Sequence, residues 1–342
     1  MAISNADDRT NYPSIPISYL DEMLAGARDK QLDAAELLME LGIDPEILRH
    51  LNGRISIALY SKIMLLVRDK LQDEFIGFLS QAIPTHAFTV LSHSIVACEN
   101  LTQTISHANH FYHMFTRDFW WELRAEQHHI KLLVHFQRPS LARKFMIESL
   151  LLIPRKIGGW LIGEQLPIVD TGFSFSKQGD DSQQTYLFGN NIAYEQEHNY
   201  LLFDRKYFEC PTIRKYSDVS AFVKDTAPTL LLMPREHPIT HQVRQLIIPF
   251  VEDGLPDLAS VSSQLQISHQ HLWRKLHEEG TNYQAIKDGL RRDLAIRYLE
   301  DPSLSVEMVA EKIGYQEPRS FYKAFRKWTG MAPGEYKRLV FT

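Results

Sequence analysis

The chain has 342 residues, 44% hydrophobic and 23% charged, a globular composition too long for one ordinary core, so two domains are expected. A formal net charge of −5 gives no general attraction to nucleic acid, and two cysteines, Cys98 and Cys210, cannot build a disulfide framework. The polar stretch Met1 to Ser18 has no signal-peptide pattern and no apolar run reaches spanning length, so a reducing cytoplasm and no membrane partner are expected.

Residues 1–17 read as a flexible arm. From Ile17 the pattern is helical, with Leu20, Met23, Leu24 and Ala27 at three- and four-residue steps. Asp33 with Glu36 opens a helix that ends near Gly42, and Asp44-Pro45 starts a short one. Arg54-Ile-Ser-Ile-Ala leads into a further apolar-periodic run through Tyr60, Ile63, Leu66 and Val67. The stretch from Phe88 to Phe115 is expected as two helices broken near Asn100.

The texture then changes. Phe119-Trp-Trp-Glu-Leu and Ile130 to Phe136 are β-like, rich in aromatic and branched residues around a polar turn. A helix from Phe145 to Leu161 follows, then short strands at Phe173–Phe175, Tyr186–Phe188 and Asn199–Phe203. Residues 18–222 therefore read as an α+β regulatory domain. Pro228, Pro234 and Pro238 mark a linker at 223–238.

Residues 239–342 read as all-α, and they carry one pattern twice. The first copy runs from Asp257 to Leu276, the second from Ser305 to Phe325. Asp257 falls on Ser305, Val261 on Val309, Ser262 on Ala310 and Leu265 on Ile313, at an offset of 48. After one inserted residue in the turn, Leu272 falls on Phe321, Arg274 on Lys323 and Leu276 on Phe325, at an offset of 49. Each copy is an N-cap, a short helix with a small residue where two helices touch, a tight turn, and a second helix. That is a helix-turn-helix, whose second helix fits the major groove.

The two motifs, 257–279 and 305–328, are joined by a helix expected over 283–300. Its stripe of Tyr283, Ile286, Leu290, Leu294 and Tyr298 packs on both. Eighteen residues make about 27 Å of helix, a suitable spacer for major-groove faces that recur every ~34 Å. Residues 238–342 hold 14 Lys/Arg against 13 Asp/Glu, and 312–342 hold 7 against 2. Positive charge thus gathers where a phosphate backbone would lie.

These residues resemble the AraC/XylS family of transcription regulators, through Ala310, Gly314-Tyr315, Ser320-Phe321, Phe325, Trp328, Gly330, Pro333 and Tyr336. The first motif departs at Ser262, where alanine is usual, and at Gln266, in a turn where glycine is common. Lys323 replaces an arginine often found in the second reading helix, removing a bidentate guanine contact. The N-terminal region is similar to the arabinose-binding-like domain of ornithine-utilisation-type regulators, through Leu41-Gly-Ile-Asp44, Arg54-Ile55, Phe145 with Glu148, Trp160-Leu-Ile-Gly163 and Phe203-Asp204. The resemblance implies effector sensing and dimer formation, with promoter DNA and RNA polymerase as partners. Family habit favours activation.

Within the first reading helix His269, Gln270, Trp273, Arg274 and His277 should face outward. Arg274 suits guanine O6 and N7, and Gln270 suits adenine N6 and N7. An outward Trp273 fits packing on sugars or a thymine methyl, and equally a contact with another domain. The second helix should present Gln316, Pro318, Arg319, Tyr322, Lys323, Arg326 and Lys327. Arg319 is the base-reading candidate; Lys323, Arg326 and Lys327 suit phosphate.

The aromatic group Phe111, Tyr112, Phe115, Phe119, Trp120 and Trp121 either lines an effector pocket or forms ordinary core. His107, His110 and His113 lie three apart on a helix, but no Cys or carboxylate completes a metal set, and no cofactor is expected. A second functional reading is an enzyme with a DNA-binding tail, as in adaptive DNA-repair methyltransferases. That chemistry needs an activated cysteine, and Cys210 stands in Glu-Cys-Pro and Cys98 in Ala-Cys-Glu.

Overall fold

The computed structural model describes residues 14–177, 182–226 and 238–341; arm residues 1–13 and linker residues 227–237 lie outside them. The chain opens with β1 (Ile15–Pro16), α1 (Ile17–Asp29), α2 (Ala34–Glu40), β2 (Arg54–Ile55) and α3 (Ile57–Leu71). Then come α4 (Ala87–Ile95), α5 (Leu101–Tyr112), β3 (Phe119–Ala125), β4 (His129–Phe136) and α6 (Lys144–Ile162). A mixed stretch follows: β5 (Asp170–Gly172), α7 (Ser182–Phe188), β6 (Ile192–Ala193), β7 (Asn199–Asp204), α8 (Lys206–Glu209) and α9 (Tyr216–Thr226). The last segment is helical: α10 (Pro238–Ile247), α11 (Leu258–Gln264), α12 (His269–Glu278), α13 (Tyr283–Leu299), α14 (Val306–Lys312), α15 (Pro318–Thr329) and α16 (Pro333–Val340). No helix among the described residues is long and apolar enough to cross a membrane.

Contacts group these elements into two units that are discontinuous in sequence, where the sequence pattern suggested one cut between 222 and 239. One unit holds 22–33 with 61–226; the other holds 14–21 and 34–60 with 238–341.

The first unit is α+β. Its five strands run β3-β4-β7-β5-β6, antiparallel except for β5 beside β6. Alternation decides the inner face: Phe119 and Trp121 of β3, Leu132 and Val134 of β4, and Leu201 and Phe203 of β7 are buried. Trp120, one residue out of phase, lies on the other face and stacks on its cross-strand partner His135 at 5.2 Å. Against the inner face lie α5, α6 and α8. The Asn109 side chain on α5 brackets Trp121, donating to its carbonyl at 2.7 Å and accepting from its amide at 2.9 Å. The Trp121 indole donates to the Leu150 carbonyl at 2.7 Å, so no polar atom of that ring is stranded.

Two expected strands are corrected. Tyr186–Phe188 lies in α7, because Gln184, Leu187 and Phe188 are buried at helical spacing and packing overrides aromatic β-propensity. The third strand is Asp170–Gly172 rather than Phe173–Phe175. Phe173 follows the strand with its amide still donating to the Ala193 carbonyl at 2.9 Å, and its ring packs among Phe175, Phe188 and Tyr194 where the pairing ends.

In the second unit, polar groups near the N-terminus meet partners far along the chain. The Ser14 amide and hydroxyl donate to Asp293 on α13 at 3.1 and 2.7 Å, and Arg54 donates to the Ser14 hydroxyl and carbonyl. Asp293 also receives Arg244 at 2.9 Å and Arg292 at 3.0 Å. Beside it, Glu300 accepts from the Ser56 amide and hydroxyl and from the Tyr336 hydroxyl. Burial and this carboxylate push the Tyr336 phenol up, which keeps it a donor. Lastly, the Asp44 amide donates to the Leu339 carbonyl at 2.8 Å. β1, β2 and the 3-10 turn Pro45–Arg49 are thereby fastened to α13 and α16.

Candidate nucleic-acid interface and cavities

One helix-turn-helix pair precedes α13 in the chain and one follows it; α14 and α15 pack on α13 directly, whereas α11 and α12 pack on α10, which itself packs on α13. In the first, the Asp257 carboxylate caps α11 through the Ser260 amide, and the Ser268 hydroxyl caps α12 through the His271 amide. In the second, Ser305 caps α14 through the Met308 amide, while α15 starts with Pro318 at its first position. Ser262 and Ala310 are both buried where paired helices meet. Ser262 keeps its hydroxyl satisfied on the Ala259 carbonyl of its own helix, so serine is tolerated at an alanine position.

The turns carry a clear asymmetry. Gln266 and its register mate Gly314 both adopt left-handed backbone, with φ of 56° and 80°. Only glycine does so without Cβ strain. At Gly314 a Cβ would also collide with the Val251 carbonyl oxygen. Gly314→Ala is therefore expected to destabilise by about 2 kcal/mol or more, and Gln266→Gly to stabilise by about 1 kcal/mol, read from urea midpoints. Equal effects of one sign would contradict this account.

Buried Leu272 and Leu276 orient α12, and buried Phe321 and Phe325 orient α15. Exposed on α12 are His269, Gln270, Trp273, Arg274 and His277. Trp273 is 54% exposed with its ring parallel to His277, an unusual position for so large an apolar surface. Arg274 reaches Glu278 at 3.6 Å, an exposed pair of little strength that releases easily. On the second motif Gln316, Arg319, Tyr322, Lys323, Arg326 and Lys327 are all exposed. No ion pair among the described residues engages Arg319, Lys323, Arg326 or Lys327, leaving four cations on one helix for an outside anion.

The aromatic group divides. Phe111, Tyr112, Phe119 and Trp121 are buried, Phe115 is half-buried, and Trp120 faces away. Tyr112 lines two cavities in the α+β unit. One, of about 30 Å³, also touches Trp121; the other, of about 110 Å³, lies among α3, α4, α5, α6 and the loop before α4. Phe111, Phe115 and Trp120 line neither.

Sequence reasoning missed Arg68, Glu74 and Ser149, the polar lining of the larger cavity. The only hint was the polar pair Glu148-Ser149 inside the otherwise apolar run Phe145–Ile153. Among the histidines, the His107 ring meets the Ser94 hydroxyl at 2.9 Å and the His110 ring the Ser106 carbonyl at 2.7 Å. No group of three metal-ligating side chains occurs among the described residues. Burial pushes the Cys98 thiol up, the opposite of nucleophile activation.

The family model for the arabinose-binding N-terminal domain of AraC transcription regulators matches residues 32–212. The chain belongs to the AraC family. A helix-turn-helix domain model matches residues 261–339 of this AraC-family chain. The ornithine utilization regulator of Pseudomonas aeruginosa is 25% identical over 326 residues, covering 94% of this chain and 96% of its own. The uncharacterized HTH-type transcriptional regulator Rv1395 of Mycobacterium tuberculosis is 32% identical over 153 residues, 44% of this chain and 43% of its own. Among solved structures, the transcriptional regulator CdpR of P. aeruginosa covers 94% of this chain and 96% of its own at 20% identity, with a TM-score of 0.29. This AraC-family protein is a DNA-binding transcription regulator.

Proposed function

We propose that the chain is a cytoplasmic, dimeric activator that responds to a small-molecule effector bound within residues 18–222 and contacts RNA polymerase at the promoter. Its reading helices α12 and α15 enter successive major grooves. His269, Gln270, Trp273, Arg274, Gln316, Arg319 and Tyr322 meet bases and sugars, while Lys323, Arg326 and Lys327 meet phosphate. The observation that supports this reading is the pair of exposed reading helices, α15 packed directly on α13 and α12 reaching it through α10, with Tyr283, Ile286, Leu290 and Leu294 of α13 buried. An effector changes promoter occupancy only if its affinity differs between two arrangements of the protein.

The test is selection of bound sequences from random duplex DNA by the full-length chain. The expected motif has two information blocks about 10 base pairs apart, one for each reading helix. A single block, or none, would overturn the two-groove reading.

A further inference from the structure

We propose that the larger cavity of the α+β unit binds a small primary ammonium ion carrying a short apolar body, held through Glu74 and Ser149. The proposal deepens the effector reading and rests on it for the step from occupancy to DNA affinity.

Size and lining come first. The cavity measures about 110 Å³, somewhat below the roughly 150 Å³ at which an apolar cavity takes up benzene. Its walls are Met64, Leu65, Phe75, Phe88 and Met146, with Tyr112 at one side. A body of four or so carbons fits, and the rings of Phe75 and Tyr112, edge to face at 5.5 Å, offer π surface to a cation.

Two polar atoms among these residues are buried without a hydrogen-bond partner: Glu74 Oε2 and Ser149 Oγ. Ser149 is 4% exposed. Unmet buried polar atoms are costly, and both of these accept hydrogen bonds. The neighbouring charged groups are already committed. Arg68 donates through Nε and Nη2 to Asp69, at 3.0 and 2.8 Å. Asp73 accepts from the Phe75, Gly77 and Ile83 amides. What remains open is the acceptor capacity of Glu74 Oε2 and Ser149 Oγ.

The loop that carries Glu74 is also held under strain. Ile76, a β-branched residue that lines the cavity, has a φ of 47°, and His86, whose amide donates to the Glu74 carboxylate, has a φ of 72°. Burial pushes the Glu74 carboxyl up and Asp73 adds to this, while Arg68 and His86 oppose it. An ammonium placed against Oε2 favours the ionised form, whereas an alcohol lacks the charge and a carboxylate adds repulsion.

The experiment is calorimetric titration of the full-length chain with n-butylammonium, 1-butanol and butyrate. Saturable binding of n-butylammonium alone is expected. Glu74→Gln should weaken it about 10- to 100-fold, and Ser149→Ala by a smaller factor. Melting of the ligand-free variants reports whether each folds; if Glu74→Gln does not, Ser149→Ala and the cavity-filling Ser149→Phe carry the test. Equal binding of butanol or butyrate, no binding of the amine, or binding indifferent to these substitutions would overturn the site. DNA affinity is measured in parallel. Glu74-dependent binding that leaves DNA affinity unchanged keeps the site and removes the effector reading. A metabolite effect on DNA affinity that survives Glu74→Gln keeps the effector reading and removes the site.

Discussion

Asp293→Ala is expected to lower the stability of the full-length chain by about 3–5 kcal/mol in urea unfolding, the usual cost of removing one partner from a buried ion pair. Asp293 is 5% exposed and accepts from Arg244, Arg292 and Ser14, while Arg54 reaches it through Ser14. Removing the carboxylate takes a buried acceptor from two guanidinium groups and from the Ser14 amide and hydroxyl. A loss below about 1 kcal/mol would show that these groups find other partners and that the cluster does not hold the segment to α13.

The same residue predicts an acid response. Burial alone would raise its carboxyl, but Arg292, Arg244 and Arg54 overcome this and hold it at about 2, against an ordinary value of 3.8. A depressed folded value favours the ionised form in the fold. Its contribution is therefore complete above about pH 4 and is lost as pH falls to 2, on the order of 2 kcal/mol. Asp293→Asn should flatten this part of the acid unfolding profile.

The second large effect concerns recognition. Arg274→Ala and Arg319→Ala are each expected to weaken the selected DNA site by about 1–3 kcal/mol and to relax preference at one base pair, a different one in each variant. The residues lie on separate motifs, so the double variant should lose close to the sum. Arg319 has no ion pair to break among the described residues, and the exposed Arg274–Glu278 pair is weak, so the two losses should be of similar size. Uniform weakening on every sequence, with a salt slope shallower by about one, would instead make either residue a phosphate contact.

What could be read beforehand was local or repeated. The register of Asp257 with Ser305 and of Leu265 with Ile313 located all four motif helices, because each copy checked the other. Asn100 was recognisable as a break because a capping side chain acts within three residues. The pairing of Ser14 with Asp293 could not be read, since it spans 279 positions and neither residue type demands the other. Glu74 was equally silent: Leu-Gln-Asp-Glu looks like a solvated turn until Asp73 folds it inward on three amides. The strands expected at 173–175 and 186–188 were aromatic runs where the burial of Phe173, Leu187 and Phe188, rather than propensity, chose the backbone.

The Asn109 bracket on Trp121 bears on assembly. β3 is an outer strand of its sheet, and an outer strand offers free amides and carbonyls to any chain able to lie alongside. Here the Asn109 amide group occupies both positions at Trp121, mid-strand. Another chain that added its own strand there would have to displace it, so this edge of the sheet is guarded at Trp121 by a side chain of the protein itself.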